Sequence, residues 1–178
     1  MNTENLQRYL DSFGKQVLKD ANGILKSQKG STALSKSIRF EVEKDSQGFT
    51  TKFYMLDYGT FVDKGVSGNK IKRGYINTEG FVTSSPYSYK NSKGHSQPPS
   101  RALDKWVVRK GIAPRDASGK FMSRKSITFL IARSIGRKGI QGISFFQNPL
   151  GIRYGELKTK LLNVLKLDIE MYLTTYTK

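Results

Sequence analysis

The stretch from residue 98 to residue 146 constrains the fold most, because it specifies two amphipathic helices in close succession. The first helix is predicted to begin with Ser100 as its N-cap and to end at Gly111. Its apolar residues recur at the spacing of one helix face, and they are Ala102, Leu103, Trp106 and Val107. Trp106 is therefore expected in the core of the domain rather than in a ligand site.

The second helix is predicted to follow Ser123, another N-cap residue, and to stop near Gly136 or Gly139. Its buried stripe is predicted to consist of Ile127, Leu130, Ile131 and Ile135. Phe145 and Phe146 close the stretch. Because these two residues are adjacent, their side chains should point in different directions, so one is expected in the core and the other exposed as a contact site.

The amino-terminal part of the chain predicts a helix followed by a hairpin. Apolar residues at spacings of three and four indicate an amphipathic helix over residues 3–28. Alternating apolar and polar residues over 38–55 indicate two antiparallel strands, joined by a turn at Asp45–Gly48. A short helix or turn over residues 56–65 is expected next.

The carboxyl-terminal part predicts an irregular link over residues 139–153 and then a last helix from Glu156 to Thr174. This helix is apolar on more than one side, so it is expected to cross the domain or to meet another subunit. The order of elements predicts one α+β domain over residues 1–178. In it, a small antiparallel sheet packs with N-terminal, central and C-terminal helices.

Residues 66–100 form a long irregular segment rich in Gly, Pro, Ser and Asn, and such a loop is usually functional or disordered. It interleaves tyrosines with cations, and the helix after it adds further cations. The candidate interface residues are Lys70, Lys72, Arg73, Tyr75, Tyr87, Tyr89, Arg101, Lys105, Arg109 and Lys110, together with Phe145 and Phe146. The pattern suits nucleic acid, where bases stack and phosphates pair, and equally a neighbouring subunit, which is the preferred interpretation.

The charge is concentrated in the same region. The chain carries a formal net charge of +17, and residues 64–138 contain 17 basic and three acidic residues, a net of +14. Such a segment attracts a polyanion, either nucleic acid or an acidic protein surface. The absence of cysteine excludes a disulfide scaffold and a cysteine-ligated metal site. No apolar run of membrane-spanning or signal-peptide length is present, so a soluble protein made in a cytoplasm is expected.

No constellation of catalytic residues stands out, and we expect neither an enzyme nor a bound cofactor or metal. His95 is the only histidine and has no cysteine or acidic partner nearby in sequence, so it is expected to be a surface loop residue. Glu41 and Glu43 lie on the polar face of a predicted strand among basic residues. Gly119 and Lys120 lack the glycine spacing of a phosphate-binding loop.

Three pieces of the sequence carry a family resemblance. They are Trp106 ahead of Arg109–Ile112, the run Ile131–Ile140 followed by the two phenylalanines, and Tyr58–Val66. The pattern resembles the tail-completion or neck proteins of tailed bacteriophages, a broad group that includes the minor tail protein Z of lambda-like phages. The resemblance covers roughly residues 54 to 146.

This resemblance implies a structural, non-enzymatic virion protein that forms a homo-oligomeric ring of six or twelve copies where head and tail join. The implied partners are portal, adaptor or tail proteins, with possible contact to packaged DNA and none to a membrane. The implied location is the head–tail junction or tail of a virion that assembles in the host cytoplasm. The alternative, which needs no family, is a nucleic-acid-binding accessory protein.

A closed ring needs two different patches on each subunit. The sequence suggests the basic loop and helix as one patch, and as the other the acidic residues Glu41, Glu43, Asp45, Asp57 and Asp63. On this hypothesis, deletion of residues 67–97 is expected to leave the helices and hairpin folded and to abolish assembly.

Overall fold

Six α-helices, one 3-10 helix and two β-hairpins form the described part of the chain, which comprises residues 3–29, 32–46, 48–89 and 96–176 of a computed structural model. The α-helices are α1 (Glu4–Lys29), α2 (Ala33–Ser37), α3 (Gly59–Lys64), α4 (Asp104–Arg109), α5 (Arg124–Lys138) and α6 (Gln147–Tyr176). The strands are β1 (Arg39–Lys44), β2 (Phe49–Tyr54), β3 (Gly74–Ile76) and β4 (Val82–Ser84). The 3-10 helix, Ser100–Leu103, leads directly into α4. The predicted α+β class is confirmed.

The chain divides into two compact units, and neither is a continuous stretch of sequence. The core unit consists of Met1–Asp63, Ile76–Val82 and Ile143–Lys178. The basic unit consists of Lys64–Tyr75 and Thr83–Gly142. Each unit therefore needs contacts between residues that are far apart in sequence.

The hydrophobic core of the core unit lies against α1. Its buried members are Phe13, Val17, Ala21, Leu25, Leu34, Ile38, Phe145, Phe146 and Leu157. Phe53 on β2 packs edge-on against Phe13 at 6.3 Å and against Phe146 at 5.4 Å between ring centroids, a favourable aromatic geometry. The helix predicted over residues 3–28 is confirmed as α1, and its apolar stripe supplies four of these buried side chains.

The predicted hairpin is also confirmed. β1 and β2 pair antiparallel, with Phe40 opposite Phe53 and the intervening polar residues exposed. Asp45 closes the turn, because its carboxylate accepts the backbone N–H of Gly48 at 2.8 Å. Hydrophobic alternation and turn chemistry together set this register.

Gly14 permits the closest approach of α1 to the hairpin. A Cβ atom at this position would overlap the ring of Phe40, whereas a Cβ at Gly23 would meet nothing. Both glycines lower the helix propensity of α1 by a similar amount, but only Gly14 allows a ring, that of Phe40, to pack against the helix backbone.

Two buried aspartates cap helices to which they do not belong. Asp168 on α6 is 1% exposed, and its carboxylate accepts the backbone N–H groups of Asn5 at 3.2 Å and Leu6 at 3.0 Å. Asp63 at the end of α3 is 2% exposed and accepts the backbone N–H of Phe146 at 2.8 Å, just before α6 begins. Each carboxylate satisfies N–H groups that have no partner within their own helix and complements the positive helix end.

The last helix begins at Gln147 rather than at Glu156, so the predicted irregular link over residues 139–153 is wrong beyond Phe146. Pro149 falls in the first turn, where its missing N–H is not needed. The helix buries Leu157, but Ile169 further along is 46% exposed. The helix thus carries apolar residues well beyond the part that packs on the core.

The two predicted central helices pack together in the basic unit around Val107, Ile127 and Ala132. Ser123 is the N-cap of α5, as predicted, and its side chain accepts the N–H of Ser126. Ser100 is not an N-cap, because Pro99 occupies that position and Ser100 begins the 3-10 helix.

Two side chains expected in the core of this unit are exposed. Trp106 on α4 is 38% exposed and Leu130 on α5 is 48% exposed. α4 is only six residues long and buries Val107 against α5, so the neighbouring position on its face is left at the edge of the contact.

We expect Gly14→Ala to lower the free energy of unfolding by about 1–3 kcal/mol, because the new methyl group overpacks the Phe40 ring. Gly23→Ala is the matched control in the same helix and should raise it by up to about 1 kcal/mol through helix propensity. Urea unfolding followed by circular dichroism measures both. A Gly14→Ala variant as stable as the Gly23→Ala variant would contradict this packing.

We expect Asp168→Ala to lower the free energy of unfolding by about 1–3 kcal/mol, because it leaves the first-turn N–H groups of α1 without their buried acceptor. Glu170→Ala removes an exposed carboxylate of the same helix and should change it by less than about 0.5 kcal/mol. Thermal unfolding of both variants makes the comparison. Equal stability would argue against Asp168 as a cap.

Candidate polyanion interface

The segment predicted to be long and irregular is held against α5 along its first residues. The last carbonyls of α5 accept backbone N–H groups from this segment: Gly136 from Asn69 at 2.9 Å, and Arg137 from Lys70 at 3.0 Å. Val66 pairs with Ile140 in an antiparallel bridge beyond the helix end. Helix carbonyls that would otherwise lack partners are satisfied in this way. Within the segment, β3 and β4 form a small two-stranded sheet.

Deletion of residues 67–97 would remove these hydrogen bonds together with Arg73. The expectation that such a deletion leaves the helices folded stays a prediction, and the lost bonds lie at the end of α5. Residues 90–95 of the predicted loop, including His95, lie outside the described residues.

Four of the predicted interface residues take structural positions in the basic unit. Arg73 donates from Nε to the carbonyl of Lys138 at 2.6 Å, which caps the end of α5. Tyr75 receives the ammonium of Lys64 over its ring at 5.7 Å. Ser67 pairs by backbone hydrogen bonds with Tyr87 and Tyr89, and burial raises the pKa of the Tyr89 hydroxyl. These residues are partly buried and hold the segment in place.

A first groove lies between this segment and the exposed side of α5. It encloses about 430 Å³ and is lined by Lys70, Ile71, Leu130, Arg133, Ser134, Arg137 and Lys138. Four of these seven residues are cations and none is acidic. Lys70 was predicted as an interface residue, whereas the three cations of α5 were missed. A signal for two of them was present, because Arg133 and Arg137 are spaced four residues apart and so lie on one side of the helix.

A second groove of about 880 Å³ is lined by Ser100, Arg101, Asp104, Lys105, Arg124, Lys125 and Thr128. It unites the predicted residues Arg101 and Lys105. It is also partly neutralised, because Asp104 pairs with Arg124 at 3.5 Å. Arg109 and Lys110 lie exposed at the end of α4, outside the lining of both grooves, and Lys72 is exposed on the segment before β3.

The excess of positive charge is concentrated in the basic unit. By sequence this unit has 17 basic and two acidic residues, whereas the core unit has 14 basic and 12 acidic residues. Both acidic residues are engaged locally: Asp104 pairs with Arg124, and Asp116 accepts three hydrogen bonds from Ser118 and Lys120. The bond from the Ser118 hydroxyl is the main cause that lowers the pKa of Asp116. Neither carboxylate is therefore positioned to neutralise the first groove.

Several acidic residues of the core unit are also engaged within their own unit. Among the described residues, ion pairs there involve Glu4, Asp20, Glu41, Glu43, Glu156 and Glu170. Asp63, predicted as part of an acidic contact patch, is buried, so that assignment is wrong. Much of the predicted acidic patch is therefore not available for contact with the basic patch of a neighbouring subunit.

The adjacent phenylalanines are both buried, so the prediction that one of them is an exposed contact is wrong. Phe145 is 0% exposed and Phe146 is 9% exposed. Ser144 takes a positive φ of 50° just before them, which turns the chain so that both rings enter the same core. The sequence pattern does not reveal this backbone conformation at Ser144.

Among the described residues, no group of three or more His, Cys, Asp or Glu side chains is arranged to hold a metal ion. In the same part of the chain, no helix is both long and apolar enough to span a membrane. Comparison of the chain with known protein families, with curated proteins and with solved structures finds no match.

We expect Arg73→Met to lower the free energy of unfolding by about 0.5–1.5 kcal/mol, because it removes the donor to the Lys138 carbonyl and keeps the apolar stem. Lys72→Met is the matched control, since it removes one charge from the neighbouring exposed position. Hydrogen exchange of α5 amides should be faster only in the first variant. Identical exchange in both would mean that Arg73 does not secure the end of α5.

Proposed function

We propose that this protein is a structural subunit of a ring at the head–tail junction of a tailed bacteriophage. The sequence resemblance supports this proposal, and one structural observation carries it: the chain has two exposed surfaces of different chemistry. One is the basic unit, and the other is the apolar surface of α6. On this proposal the ring is built of six or twelve copies, meets portal, adaptor or tail proteins, and has no enzymatic role.

The apolar surface of α6 supports contact between subunits. Leu162 is 74% exposed and Ile169 is 46% exposed. They are seven residues apart, two helix turns, and so lie on the same side of α6. An exposed apolar stripe on a long helix marks an interaction site, and we propose a second copy of this chain as its occupant.

A contact through the basic unit is disfavoured by its charge. Two units with 17 basic and two acidic residues each would repel one another. Of the five acidic residues that the sequence suggested as the complementary patch, Glu41 and Glu43 form ion pairs within their own unit and Asp63 is buried. Apolar contact through α6 avoids both difficulties.

Nucleic-acid binding without a ring is the second candidate function. The first groove favours it, because four cations line it without an acidic neighbour. The two candidates differ in what they require of α6: the ring needs its apolar surface, and an accessory DNA-binding protein does not.

We expect the double variant Leu162→Ser/Ile169→Ser to lose self-association, because it removes the apolar stripe from an exposed position. Sedimentation velocity and class-averaged electron micrographs of the purified protein measure assembly directly. The wild-type chain should form closed rings, alone or on addition of the portal.

Ile152→Ser is the matched control. Ile152 lies on the same helix and is 58% exposed, but its position on the helix turn differs from that of the stripe. This variant should assemble like the wild type. Wild-type protein that stays monomeric with and without its portal, or rings that persist in the double variant, would overturn this assignment of α6.

A further inference from the structure

We propose that the first groove, between the segment after Gly68 and the exposed side of α5, binds the sugar-phosphate backbone of DNA. The proposed function leaves open whether the basic unit meets DNA or acidic protein. This inference answers that question, and it rests on the proposed function for its setting, a ring through which DNA passes. Its test is nevertheless independent of ring formation.

The backbone fixes the positions of the cations. Because Asn69 and Lys70 donate their N–H groups to the carbonyls of Gly136 and Arg137, the segment runs alongside the last turn of α5. The groove is thereby lined by Lys70 from one side and by α5 cations from the other. The site is built from two elements joined by hydrogen bonds rather than from one flexible tail.

The spacing on α5 fits a repeating anion. Arg133 and Arg137 are one turn apart on the same side of the helix, which corresponds to a rise of about 6 Å. One DNA strand carries a phosphate every ~3.4 Å of helix axis, so two guanidinium groups at this spacing can reach different phosphates of one strand. Guanidinium groups also pair with phosphate through two parallel hydrogen bonds.

The charge in the groove is uncompensated. Among the described residues, no Asp or Glu forms an ion pair with Lys70, Arg133, Arg137 or Lys138. The second groove differs, because the pair between Asp104 and Arg124 lies within it. An anion entering the first groove therefore displaces no internal partner.

DNA is favoured over an acidic protein by the extent of the positive field. By sequence the basic unit carries 17 cations and two acidic residues, both engaged locally, which suits a polymer with regular charge better than a short acidic peptide. Ser134 supplies a hydroxyl donor, and Leu130 and Ile71 supply apolar contacts of the kind a sugar accepts. Contacts of this type position a backbone and read no bases, so binding should be independent of sequence.

The test compares Arg133→Gln/Arg137→Gln with the wild type in fluorescence anisotropy, using a labelled duplex of about 20 base pairs at about 50 to 200 mM salt. We expect the double variant to bind about tenfold or more weakly at the lowest salt. The slope of log Kd against log salt should fall by about two, one unit for each lost phosphate contact. Arg133→Lys/Arg137→Lys keeps the charge and should retain most of that slope.

Arg109→Gln/Lys110→Gln is the matched control, with the same loss of charge in the same unit but outside the groove lining. It should weaken binding less and leave the slope closer to that of the wild type. Equal losses in the two double variants at equal thermal stability would overturn the proposal. Poly-glutamate that displaces DNA at equal charge concentration would overturn it in favour of an acidic protein.

Ring assembly of the same variants is followed in parallel by sedimentation velocity. Rings that form normally while DNA binding is lost support the groove and leave the ring proposal standing. Wild-type protein that binds DNA through this groove but forms no rings would contradict only the ring proposal. Wild-type protein that forms rings and binds no duplex at low salt would contradict only the groove proposal.

Discussion

Buried carboxylates at helix N-termini hold the core unit together. Asp63 caps the start of α6, and Asp168 within α6 caps the start of α1. Asp63 thus fixes the start of α6, and α6 in turn fixes the start of α1 through Asp168. A carboxylate taken out of water is tolerated only where it accepts several hydrogen bonds, and the free N–H groups of a helix end supply them. Because these contacts connect residues far apart in sequence, they also close a unit that the chain enters three times.

Local pairing of charged groups also helps the chain to tolerate a net charge of +17. In the core unit, carboxylates and cations pair at short range, as Asp20 and Glu156 do around Arg153, whose pKa they raise. In the basic unit the cations greatly outnumber the carboxylates, and self-repulsion must be offset by burial of Val107, Ile127 and Ala132 and by the hydrogen bonds that close the end of α5. A polyanion bound there would relieve the repulsion, so binding and stability of this unit should be coupled.

Local features of the fold could be predicted from the sequence, and long-range ones could not. The stripe of α1, the alternation of β1 and β2 and the Ser123 cap depend on neighbours a few residues away. The start of α6 depends on Asp63, more than eighty positions earlier, and the burial of both Phe145 and Phe146 depends on the backbone at Ser144. Of the candidate site, charge composition located the region, and Lys70 was named. Arg133 and Arg137 were not predicted, because they line a groove only where the segment of Asn69 and Lys70 packs beside the end of α5, and this contact is not encoded locally.

The two proposed surfaces constrain each other. If the basic units of neighbouring subunits touched, each contact would bring together groups of like charge, so the apolar surface of α6 is the favourable place for contact between copies. If the groove lined by Lys70, Arg133, Arg137 and Lys138 stays free in such a ring, each copy offers one groove to a ligand. Each added copy then adds one more groove for the same polymer, and the effective concentration of the remaining grooves rises once one of them has bound. Weak, sequence-independent contact at each subunit is in this arrangement enough for firm binding by the whole ring, and salt should release DNA from the ring more steeply than from a single subunit.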